Sequence, residues 1–78
     1  MSDNDRVLVD AINRRLELVA QMWDYKRSRG LEVIDPEREE WMLRYLSRTN
    51  RGPLSAAGLE ELFAKVLELT KRELGPPG

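Results

Sequence analysis

The first third of the chain reads as one helix longer than the body it would have to pack on. From Asp3 to Arg29, the apolar residues Leu8, Ala11 or Ile12, Val19, Met22 and Trp23 recur at helical spacing. Asp3 and Asp5 suit the positive N-terminal end of a helix, Lys26, Arg27 and Arg29 suit the negative C-terminal end, and Gly30 follows as a stop. At about 1.5 Å per residue this helix spans roughly 40 Å. A compact chain of 78 residues has a radius of gyration of about 11–12 Å and a diameter of about 30 Å. The overhang calls for a second chain, so the expectation is a homodimer in which helix one crosses the interface.

The remainder is also helical. After a connector from Leu31 to Ile34, Asp35 is an N-cap and Pro36 fits the first helical position. Helix two carries Trp41, Met42, Tyr45 and Leu46 as its packing residues and fades by Asn50; Arg51-Gly52-Pro53 is a turn. Ser55 caps helix three, with Leu59, Leu62, Phe63, Val66 and Leu69 or Thr70 on its apolar stripe. Gly75-Pro76-Pro77-Gly78 ends it as a loose tail. No stretch carries a strand signal. The fold class is all-α: three helices per chain, one domain over residues 1–78, in a homodimer whose interface helix one crosses.

Composition removes several classes of function. There is no cysteine and no histidine, which takes away thiolate and imidazole metal ligands and the commonest general base. With 13 basic and 14 acidic residues the net charge is −1, against the basic excess of a nucleic-acid module. No apolar run approaches the roughly 20 residues needed to cross a bilayer, and the polar start Ser2-Asp3-Asn4-Asp5 is unlike a signal peptide. The expected setting is the cytoplasm, with neither nucleic acid nor membrane as partner.

Arg15 and Lys26 are the pair that carries chemistry. They are eleven residues apart, and at about 100° per residue eleven steps return to within about 20° of the starting direction. Val19 and Met22 lie between them on the same stripe. Two long cations on an apolar seam need an anionic partner, because burying unpaired charge is costly. The bland alternatives are definite. Arg15 and Lys26 snorkel and pair with acids of a neighbouring helix, Arg38 and Glu39 form an exposed ion pair, and Thr70 is core filler. Trp23, Trp41, Met22 and Met42 are read as packing residues. Glu60, Glu61 and Glu68 read as solvent-facing charges with Lys65, Lys71 and Arg72 as helical neighbours.

Asn13-Arg14-Arg15, Glu17-Leu18-Val19, Lys26, Asp35-Pro36-Glu37-Arg38-Glu39, Gly52-Pro53-Leu54-Ser55 and Leu62-Phe63 together resemble the all-helical, type II chorismate mutases, in order and spacing from Asp5 to about Leu74. The closing Leu69-Thr70-Lys71-Arg72-Glu73-Leu74 looks like the small stand-alone members of actinobacterial type. The resemblance implies an intertwined homodimer of three-helix chains with two active sites, and rearrangement of chorismate to prephenate on the route to phenylalanine and tyrosine. No cofactor or metal is implied. By resemblance, Arg15 pairs with a substrate carboxylate and Lys26 reaches the ether oxygen and a carboxylate. Asp35 and Arg38 shape the pocket, Glu39 accepts a hydrogen bond from the ring hydroxyl, and Thr70 lies near a carboxylate. Lys26 and Arg15 are thus the catalytic candidates; Asp35, Arg38, Glu39 and Thr70 are the substrate-binding ones.

Two departures from the family pattern shape expectations. Leu74 stands where many members have Gln or Glu, and Lys71 or Glu73 are the nearby substitutes. An arginine that crosses to the partner's site in the family would fall about two residues before Met1, and Arg6 sits roughly two turns later, some 12 Å along the axis. One missing charge-assisted contact costs about 2–4 kcal/mol, on the order of 10²–10³ in rate. Weak turnover by the chain alone, and dependence on an aromatic-pathway partner enzyme, are therefore expected. The alternatives are elimination of pyruvate from isochorismate on the same fold, and a non-catalytic helical module that docks on a partner.

Overall fold

The computed structural model describes residues 2–75 and contains three helices: α1 (Ser2–Ser28), α2 (Pro36–Thr49) and α3 (Ala56–Glu73). Each lies within a residue or two of its expected bounds, because each end is set by local chemistry. Beyond residue 75, the expected tail lies outside the described residues.

Helix α1 stops in a Schellman arrangement. The Leu31 amide donates to the Lys26 carbonyl at 2.8 Å and the Gly30 amide to the Arg27 carbonyl at 3.1 Å. Gly30 takes φ +69°, which a side-chain-bearing residue resists. This lock fixes the direction in which Val33 and Ile34 leave the end of α1 carrying Lys26. Immediately after Ile34 the Asp35 carboxylate accepts from the Arg38 amide at 3.3 Å and starts α2. Between α2 and α3 the Asn50 side chain accepts from the Gly52 amide at 3.0 Å and donates to the Leu54 carbonyl at 2.9 Å. The Ser55 hydroxyl then accepts from the Gly58 amide at 3.0 Å and caps α3.

Helices α2 and α3 pack on each other, and the buried apolar residues are only Trp23, Leu59 and Phe63 among those described. The rest of α1 runs past this core. Its 27 residues span roughly 40 Å, matching a longest dimension of 41 Å, and the Cα radius of gyration is 14.0 Å, above the roughly 11–12 Å of a compact chain this size. Val7, Leu8 and Val9 are exposed on the overhang. No described helix is long and apolar enough to cross a membrane.

Helix α2 corrects one expectation. Trp41 and Tyr45, read as packing residues, are 56% and 51% exposed. They stack on each other with centroids 5.6 Å apart and planes 9° from parallel. Met42 and Leu46 are the ones drawn inward, because neighbouring residues on a helix diverge by about 100° and one stripe takes the core. On α3, Leu62 likewise faces outward.

Candidate active site

The three helices and the connector enclose one side of a cavity of about 320 Å³, at the small end of the range for small-molecule sites. Helix α1 supplies Arg15, Val19, Met22 and Lys26 from the stripe read in the sequence. The connector adds Val33, Ile34 and Asp35, α2 adds Arg38, Glu39 and Met42, and α3 adds Phe63, Leu67, Thr70 and Lys71. All six residues singled out from the sequence (Arg15, Lys26, Asp35, Arg38, Glu39 and Thr70) line this single space.

Arg15 is the most constrained of them. Its Nη1 donates to the Thr70 hydroxyl at 2.5 Å across 55 residues of sequence. Thr70 is only 5% exposed, and its own hydroxyl proton goes to the Val66 carbonyl at 2.7 Å. The Thr70 oxygen is therefore committed on both sides: it holds the guanidinium and is itself held by its helix. Burial pushes the Arg15 pKa below its ordinary value, and the negative charge of Glu39 opposes that only in part. An arginine remains charged regardless, so the consequence is a fixed cation short of counter-charge. Arg15, Lys26 and Arg38 form no ion pair among the described residues.

The bland alternative for Glu39, an exposed pair with Arg38, does not form; its Oε2 lies 3.6 Å from the Lys71 ammonium on α3. Lys71 is thus on the cavity wall, not a solvent-facing partner of Glu68, which pairs with Lys65 at 3.5 Å instead. The spacing Phe63, Leu67, Thr70, Lys71 (i, i+4, i+7, i+8) puts all four on one helical face and is the signal that identifies Lys71. Glu73 and Leu74 are not on the wall.

The charges of the wall are lopsided. Arg15, Lys26, Arg38 and Lys71 bring four positive charges and Asp35 and Glu39 two negative ones, a surplus of two cations in a chain whose net charge is −1. The Asp35 carboxylate already accepts from the Arg38 amide. Around these charges the lining is mainly apolar, so an entering anion meets them in a medium that strengthens their attraction. The space is chemically suited to a compact molecule with two negative charges and an apolar body.

A family model, chorismate mutase type II, matches residues 1–73 of the 78. The chain belongs to the type II chorismate mutase family. No curated protein and no solved structure matches it. The family match spans all three helices and so every wall of the cavity.

A chorismate mutase fold that keeps a half-buried cation short of counter-charge holds it at some cost to its own stability. Arg15→Met, which keeps the packing stem and leaves Thr70 bonded to Val66, is expected not to lower the thermal midpoint of the ligand-free protein. A drop of several degrees in a melt followed by circular dichroism would mean that Arg15 is chiefly structural.

Proposed function

We propose that this chain is a chorismate mutase that converts chorismate to prephenate in the cytoplasm, on the route to phenylalanine and tyrosine, and that it acts as a homodimer. The observation that carries this reading is the surplus of two positive charges on a small apolar-walled cavity, within a chain of the chorismate mutase family. Chorismate is a dianion of suitable size, and its rearrangement asks for little else. The ether C–O bond breaks as a C–C bond forms at the other end of the same molecule. No atom leaves, no proton moves and no nucleophile is used.

A site for such a reaction has two tasks. It holds the enolpyruvyl arm over the ring, which removes the entropy cost of finding the compact conformer. It also places positive charge where the ether oxygen becomes electron-rich, and that charge acts more strongly on the transition state than on the ground state. In this reading Arg15 fixes one carboxylate with its planar fork, oriented by Thr70. Lys26 reaches the ether oxygen and a carboxylate from the last turn of α1. Arg38 and Asp35 shape the far wall, and Glu39 accepts the ring hydroxyl. Lys26→Ala is expected to lower kcat by at least about 10²–10³-fold with helical content unchanged, read from the loss of chorismate absorbance. Near-parental rates would remove Lys26 from the mechanism.

The homodimer is supported by the unpartnered overhang of α1. Val7, Leu8 and Val9 are exposed, and burying such a side chain fully is worth about 1.5–3 kcal/mol. A second copy laid along α1 covers them. Sedimentation equilibrium at micromolar concentration is expected to give twice the chain mass, with Leu8→Glu shifting the protein toward monomer; a parent protein that sediments as a monomer contradicts this assembly. A partner enzyme of the same pathway that raises turnover belongs to the proposal as well, and the exposed Trp41–Tyr45 stack on α2 is a surface compatible with docking.

A further inference from the structure

We propose that Lys71 is a substrate-binding residue that waits in an ion pair with Glu39 and transfers to a carboxylate of the incoming dianion. This rests on the reading of the cavity as a chorismate site and adds a ligand to it. Lys71 lines the cavity beside Thr70, so the segment that orients Arg15 also delivers a second cation from α3. Its contact with Glu39 is loose: 3.6 Å between Nζ and Oε2, with side chains 41% and 27% exposed. Well-formed charge-assisted bonds are about 2.7–2.9 Å, and exposed pairs of this kind are weak and easily exchanged. Lys71 has a flexible four-carbon stem and three donors, which suit it to changing partners.

Charge balance points the same way. With Lys71 the wall carries two more cations than carboxylates; without it the surplus falls to one, and a dianion enters an apolar space incompletely neutralised. The exchange also frees the Glu39 carboxylate to accept a hydrogen bond from a neutral hydroxyl of the ligand. Lys71 therefore links the recognition of a carboxylate to the recognition of the hydroxyl.

The test uses the full chain, with chorismate as substrate and a non-reacting bicyclic dicarboxylate shaped like the transition state as binding probe. Lys71→Met is expected to raise KM about 10–100-fold with a smaller change in kcat, and Lys71→Arg to restore it to within about threefold. In a Glu39→Gln background, adding Lys71→Met is still expected to weaken probe binding about tenfold, because the partner that counts is the ligand. Loss of that second effect would make Lys71 merely a support for Glu39 and overturn the proposal. A KM for Lys71→Met within about twofold of the parent, in a chain that turns over chorismate, would overturn it while leaving the catalytic reading intact. A parent chain that neither rearranges chorismate nor binds the probe would defeat the catalytic reading itself, and this inference with it.

Discussion

The hydrogen bond from Arg15 to Thr70 is the contact on which the cavity's geometry turns. It ties the middle of α1 to the last turns of α3, and it is made by a side chain that burial penalises for being charged. Next to it, Lys71 ties α3 to α2 through Glu39. Two successive residues of one helix thus reach the other two, and both contacts run through charged groups facing the cavity.

The same contacts make the empty space electrostatically unfinished. Thr70 orients Arg15 but supplies no counter-charge. Lys26 emerges at the C-terminal end of α1, where the helix carbonyls favour a cation, yet among the described residues no carboxylate meets it. Preorganised charge of this kind suits the proposed rearrangement, because nothing has to reorganise as electrons shift toward the ether oxygen. It also explains why a chain without histidine or cysteine can belong to an enzyme family: the reaction asks for position and field, not for a proton carrier or a nucleophile.

Much of this was legible in the residues, and the boundary between what was and what was not is physical. Helix ends were readable because caps are local: Asp35-Pro36, Ser55 and Gly30 each act on amides or carbonyls within a few residues of themselves. The Arg15–Lys26 stripe was readable because helical periodicity alone aligns side chains eleven residues apart. Placement of Thr70, Asp35, Arg38 and Glu39 around the same space depended on resemblance to the family. Lys71 was legible only as a nearby substitute for Leu74 and as a helical neighbour of Glu68; its pairing with Glu39 was not readable, because it depends on how α2 and α3 are rotated against each other. The outward stack of Trp41 on Tyr45 was hidden for a related reason. Both are large and apolar, and the stripe containing Met42 and Leu46 won the core.

The central claim is that the cavity's two surplus cations select a compact dianion. It is tested most directly by calorimetric titration of the protein with the bicyclic dicarboxylate and with its monomethyl ester, which has the same shape and one charge fewer. The account predicts that the diacid binds at least about tenfold tighter and that the difference shrinks as salt is raised. Equal affinities at low salt would contradict it.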